Sequence, residues 1–170
     1  RDRGINNPTA ALLKAVLIVA ATRLPNTAPA SAVLDSHQGF GRVDLARVVK
    51  PPAGTKLWLS QSSSVSTGQS RRRTITVKTG GAPLRIALAY ADHPGATLVN
   101  NLNLVVTAPD STRRVGNQAE GAPLVFDTAN NVEVVQVARA AAGAWTVEIV
   151  GSNVPQGPQR YALAALGKFA

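Results

Sequence analysis

From Lys56 onwards the chain runs as short apolar stretches of period two, divided by turn-forming clusters. That texture fits antiparallel strands far better than helices. In Thr74-Ile75-Thr76-Val77-Lys78 the alternation is clean. Strands are expected at Lys56–Ser60, Arg73–Thr79, Leu84–Ala91, Leu102–Ala108, Thr112–Val115, Glu133–Ala138, Ala144–Val150 and Arg160–Leu166. Between them lie Gly80-Gly81, His93-Pro94-Gly95, Ala108-Pro109-Asp110, Ala142-Gly143 and the stretch Pro155 to Pro158. Short strands in this number, joined by turns, predict an antiparallel sandwich or jelly roll. Aromatic residues make up 4% of the chain, so Val, Ile, Leu and Ala must fill its core.

Upstream of Pro51-Pro52-Ala53-Gly54 the texture is helical, and that Pro/Gly cluster reads as a boundary. Asn7 suits an N-cap and Pro8 the first helical position. The run Ala10 to Ala20 is apolar on nearly every face apart from Lys14. A helix of that kind belongs inside a larger body. The loop Leu24 to Asp35 and the short amphipathic segment Val43 to Val49 look too small to cover it. The reading is therefore an α+β chain: a helical region over residues 1–50, then a jelly-roll-like β-sandwich over 55–170. The apolar run falls short of the roughly 20 residues that span a bilayer. The opening Arg1-Asp2-Arg3-Gly4 is no signal peptide, and the chain starts as though cut from something longer.

Composition removes several chemistries. There is no cysteine, so disulfides, thiolate zinc sites and Cys nucleophiles are excluded. Two histidines, His37 and His93, cannot make a multi-histidine metal site. Lys and Arg number 18 against 9 Asp and Glu, a net charge of +9 that reflects scarce acids more than basic blocks. Arg71-Arg72-Arg73 and Arg113-Arg114 are the dense basic runs. Without a helix to present them or aromatics to stack on bases, they read as a solvated sheet edge and not as a nucleic-acid site. Trp58 and Trp145 alternate with apolar neighbours and read as packing residues. Asp35-Ser36-His37 holds the three residue types of a hydrolytic triad, but neighbours on one loop cannot form the relay such a triad needs.

Three segments carry a family resemblance. Asn7-Pro8-Thr9-Ala10-Ala11-Leu12-Leu13-Lys14-Ala15, followed by Gly39-Phe40-Gly41-Arg42-Val43-Asp44-Leu45, resembles the end of a subtilisin-like (S8) serine protease catalytic domain. The third, Thr97-Leu98-Val99-Asn100-Asn101-Leu102-Asn103-Leu104-Val105-Val106-Thr107-Ala108-Pro109, resembles the C-terminal β-domain of the KP-43-like alkaline protease branch. Gly116-Asn117, Asn130-Asn131-Val132-Glu133 and Gly143-Ala144-Trp145-Thr146-Val147 extend that match. The resemblance implies that residues 1–50 supply the last helices of such a catalytic domain. It also implies a secreted parent that hydrolyses protein substrates by acyl transfer. The family's nucleophile motif, G-T-S-M-A, cannot occur in a chain with no methionine, and no catalytic Asp, His or Ser position has a counterpart. The expectation is a non-catalytic region that stabilises a protease's catalytic portion and shapes substrate access. Its partner would be that portion, with no nucleic acid and no membrane span. The alternative is a stand-alone sandwich module binding a polysaccharide or a protein.

In that branch the third segment belongs to a calcium-binding region. The resemblance therefore makes Asp92, Asn100, Asn103, Asp127, Asn131 and Glu133 candidate ligands, all oxygen donors at predicted strand ends. The family's N-D-L-D here reads Asn100-Asn101-Leu102-Asn103, so two carboxylates have become amides. A divalent ion needs negative charge to offset its dehydration, and the expectation is Ca2+ binding that is weak or lost. Asx-turns are the alternative use for these side chains.

Overall fold

A computed structural model describes residues 4–25 and 33–170. Its two α-helices are α1, Ala10–Ala20, and α2, Leu45–Val49. Eight strands follow: β1 Lys56–Val65, β2 Ser70–Val77, β3 Ala82–Ala89, β4 Asn101–Thr107, β5 Arg113–Val115, β6 Val132–Ala140, β7 Gly143–Asn153 and β8 Gln159–Gly167. Each overlaps a strand expected from the alternation, with β1 running on to Val65, five residues past its expected end. Much of the loop expected between Leu24 and Asp35 lies outside the described residues.

The strands form two four-stranded antiparallel sheets, in the order β1-β8-β3-β6 and β2-β7-β4-β5. Their facing sides interdigitate through Ile75, Leu84, Ile86, Leu88, Leu104, Val106, Trp145, Val147, Ile149 and Leu163, all but excluded from water. Trp145 is buried and its indole N–H donates to the Ala141 carbonyl at 2.9 Å. Such sheet-on-sheet burial is the main stabilising term of a sandwich.

The outer side of the first sheet is apolar too. Ala87 and Ala89 of β3, with Ala162, Ala164 and Leu166 of β8, meet Leu12, Ala15, Val16 and Val19 of α1. Small side chains on the strands let the helix lie close to the sheet. Thr9, not Asn7, caps α1: its hydroxyl accepts from Leu12 N at 3.2 Å. Gln61 of β1 then ties the entry down, accepting from Thr9 N at 2.8 Å and donating to the Asn7 carbonyl at 2.9 Å. From β3, Arg85 donates to the carbonyls of Ala21 (2.9 Å) and Phe40 (2.8 Å).

This arrangement corrects the expected fold class. The chain is not an α+β assembly of a helical remnant followed by a jelly roll. Among the described residues it is a predominantly antiparallel β-sandwich carrying two short helices, with α1 laid on the sheet. The apolar helix, expected to lack cover within this chain, finds it on the outer face of the chain's own first sheet.

Candidate functional site

The polar residues singled out in the sequence gather at one end of the sandwich, in two separate clusters. The first centres on Glu133, at the start of β6. Its side chain is 1% exposed. One carboxylate oxygen, Oε2, accepts from the backbone N–H of Leu104 in β4. The other, Oε1, faces the amide of Asn103. That amide is oriented by its neighbours: its nitrogen donates to Oε1 at 2.9 Å and to the Asp127 carbonyl at 3.2 Å, while its oxygen accepts from Ser152 Oγ at 2.8 Å. Burial pushes the Glu133 carboxyl up to about 8 against the opposing Leu104 hydrogen bond, and the negative charge of Asp127 adds to the rise.

Asp127 stands beside this pair and is saturated by donors. Asn117 Nδ2 (2.6 Å), Ala129 N (2.8 Å), Asn130 N (3.1 Å) and Asn130 Nδ2 (2.7 Å) all reach its carboxylate. Burial opposes its ionisation, but the donors from Asn117, Ala129 and Asn130 outweigh burial and hold it below the usual carboxylate range. Asn117 is the hinge of the cluster. It sits in the left-handed region at φ 59°, where Asn is tolerated better than most residues. Its side chain also donates to the Val132 carbonyl (2.8 Å) and accepts from Val134 N (3.0 Å).

The second cluster joins Asp92 and Asn100. Asp92 accepts from Val99 N (2.7 Å) and Asn100 N (2.9 Å), closing the loop between β3 and β4. Asn100 is fully buried. It accepts from Gln156 N (3.1 Å) and donates to the Gln156 carbonyl (2.9 Å) and to Gln159 Oε1 (2.7 Å). Between the clusters, Tyr90 donates its hydroxyl to the Asn100 carbonyl at 2.8 Å. Asn131 donates to the Tyr90 carbonyl (3.1 Å) and accepts from Lys14 Nζ of α1 (3.2 Å).

The six candidate ligands are thus divided. Asn103, Asp127 and Glu133 come together; Asp92 and Asn100 form another set; Asn131 bridges to the helix. Around Asp127 the donors are poorly suited to a divalent cation. Four N–H groups already fill the Asp127 carboxylate, and the amide nitrogens of Asn117 and Asn130 would face an ion placed there. Among the described residues no three His, Cys, Asp or Glu side chains are placed to share a metal. What the arrangement does is lock strand ends: Asn103 and Glu133 join β4 of one sheet to β6 of the other. Asn117, Tyr90, Gln156 and Gln159 were not singled out as site residues. The Gly116-Asn117 pair was the available signal for a left-handed turn beside a buried acid.

Hydrolytic geometry is missing from the acid–hydroxyl–imidazole tripeptide. Asp35 Oδ1 and Ser36 Oγ both lie 3.3 Å from the same ring nitrogen, Nδ1 of His37. A relay needs the acid and the hydroxyl on opposite nitrogens. Asp35 serves its own loop: it accepts from His37 N (2.8 Å) and Gln38 Nε2 (3.1 Å), and the His37 N–H in particular holds its carboxyl low. It also pairs with Arg23 at 3.4 Å. His93 is an exposed turn residue. Arg71, Arg72 and Arg73 lie exposed on β2, the edge strand of the second sheet, where Arg72 meets Glu148 at 3.0 Å. No described helix is long and apolar enough to cross a membrane.

No family model matches the chain. Over 92% of its length it is 29% identical to a Dictyostelium discoideum protein named serine protease/ABC transporter B family protein tagA. The chain spans 10% of that relative's own length. Among solved structures, the serine protease of Aeromonas sobria in complex with the chaperone aligns at a TM-score of 0.40 and 12% identity, over 94% of this chain and 40% of that one. The periplasmic g-type lysozyme inhibitor of Aeromonas hydrophila aligns at 0.35 and 16%, over 66% and 84%. Structural likenesses this distant fix nothing about what the chain does; the sequence relation is to one stretch of a much longer protein named as a serine protease.

Proposed function

We propose that the chain is a non-catalytic module of a secreted subtilisin-like serine endopeptidase, stabilising the protease and bordering its substrate path. The observation that carries this reading is the likeness, along nearly the whole chain, to part of a protein named as a serine protease. Two features of the molecule agree with it. Asp35, Ser36 and His37 cannot act as a relay. The polar network at the strand ends has its donors and acceptors turned inward, as a rigid support requires and a reactive site does not.

Docking onto the protease body uses the exposed apolar side chains around α2. Val43, Leu45 and Val49 are 54%, 59% and 80% exposed and stand in one short segment. Apolar surface of this kind is what a neighbouring body covers.

The test is the gene. The reading frame upstream of Arg1 is expected to encode an Asp motif, a His motif and a G-T-S-M-A-like motif, in that order. A start codon just before Arg1 with none of these would overturn the proposal. On the protein, the purified chain is expected to leave fluorogenic peptides and casein intact. Hydrolysis that survives repurification and is blocked by a serine-directed inhibitor would also overturn it.

A further inference from the structure

A cleft of about 550 Å³ opens where the end of α1 meets β3, away from the polar clusters. Its accessible apolar lining is Ala82, Pro83 and Ala138, with Leu84, Val137 and Leu166 buried behind them. Among the described residues four cations line it: Arg23, Arg47, Arg85 and Lys168. No Asp or Glu is among the described lining residues. Nearby, Asp35 pairs with Arg23, and Asp44 is engaged by Thr22 Oγ1 at 3.1 Å and by Arg47 N at 3.4 Å. Residues 26–32, which adjoin Arg23 in sequence, contain no acidic residue.

Among the described residues Arg47, Arg85 and Lys168 form no ion pair. Arg85 is half-buried, and its terminal nitrogens serve two carbonyls, which accept hydrogen bonds but bring no net charge. Its Nε has no hydrogen-bond partner. Arg47 reaches only the carbonyls of Ala20 and Ala21, at 3.4 and 3.5 Å. Cations lining one cleft without an acidic side chain among its described lining residues are costly unless an anion joins them. Burial first, then the charges of Arg47 and Arg23, bring the Arg85 guanidinium down to about 10.

We propose that this cleft binds a small carboxylate with an apolar body, the carboxylate facing Arg47 and Lys168 and the body lying on Ala82, Pro83 and Ala138. A mostly apolar pocket of this size with a few convergent charged groups is the ordinary form of a small-ligand site. The Arg fork favours a planar carboxylate. The ligand is either a free aliphatic acid or the C-terminal end of a peptide.

The test is a titration of the whole chain with hexanoate, followed by calorimetry and backbone-amide NMR. Hexanoate is expected to shift the amides of Ala82, Leu84 (next to Pro83) and Ala138. Hexanamide is expected to bind ~10-fold more weakly, as loss of a charge-assisted hydrogen bond requires. Lys168→Gln and Arg47→Gln, each checked for unchanged melting, are expected to weaken hexanoate binding by ~5–10-fold. Equal affinity for hexanoate and hexanamide overturns the proposal. So does inorganic phosphate binding as tightly as hexanoate, or folded variants that bind hexanoate unchanged. Acetyl-Ala-Leu with a free carboxylate, binding more tightly than hexanoate, assigns the site to peptide ends; weaker binding assigns it to free acids.

Discussion

The side-chain amide of Asn103 in β4 stands 2.9 Å from Oε1 of Glu133 in β6, so one buried hydrogen bond ties the two sheets together at their polar end. The carboxyl it meets is raised by burial from 4.5 to about 8. An unfolded chain therefore releases the Glu133 proton first as pH rises. The sign follows: the unfolded state binds fewer protons than the folded state between these values, and stability falls through that window. Because the Asn103 donor favours the charged form and trims the rise, urea unfolding is expected to show a loss on the order of 1–2 kcal/mol between pH 5 and 8.5. Glu133→Gln is expected to flatten that slope. A wild-type slope left intact in the variant would assign the effect elsewhere.

Gly116 is required by the same carboxylate. A Cβ on it would run into Glu133 Oε2 and lie 2.5 Å from Glu133 Cβ. Neither side can retreat, because Oε2 accepts from Leu104 N and Gly116 N donates to the Leu104 carbonyl at 2.9 Å. Gly116→Ala is expected to cost about 1–3 kcal/mol in chemical denaturation, as overpacking does. A melting curve identical to wild type would show that the contact relaxes freely.

Calcium is expected to leave the melting temperature unchanged. An ion held with micromolar affinity would, at millimolar concentration, add about 4 kcal/mol. Scanning calorimetry with millimolar calcium and then with a chelator should superimpose. An upward shift of several degrees would mean that the donors around Asp127 and Asp92 give way to the ion.

Replacing Leu45 and Val49 by Asp is expected to change the stability of the isolated chain by less than about 0.5 kcal/mol, because both are exposed. If α2 docks against a protease body, the same pair of substitutions is expected to shorten the thermal-inactivation half-life of the complete protease. An unchanged half-life would move the docking face away from α2.

The strands were readable because alternation and turn residues agree along the second part of the chain, as in Thr74 to Lys78 before Gly80-Gly81. The outer cover of the first sheet was not. Ala87, Ala89, Ala162 and Ala164 sit in nearly continuous apolar runs, a texture that signals burial on both faces. Counting strands alone passes over it. The polar cluster was half visible. Asp127, Asn103 and Glu133 stood out as oxygen donors, yet pattern alone cannot tell whether an oxygen faces a cation or an N–H. That choice was made by Asn117, whose left-handed backbone turns its amide toward Asp127. The basic cleft was invisible, since Arg23, Arg47, Arg85 and Lys168 are far apart in sequence and converge only when α1 lies on β3.

Laying α1 on β3 and β8 also governs how the molecule can be dissected. The Pro51-Pro52-Ala53-Gly54 stretch invites a cut, and a fragment beginning just after it would keep every strand. It would also bare the stripe of alanines and Leu166 that the helix now covers, leaving a flat, greasy plane across the middle of the sheet. Such a fragment would self-associate through that plane, whereas a longer one retaining Gln61's grip on Asn7 and Thr9 carries its own lid.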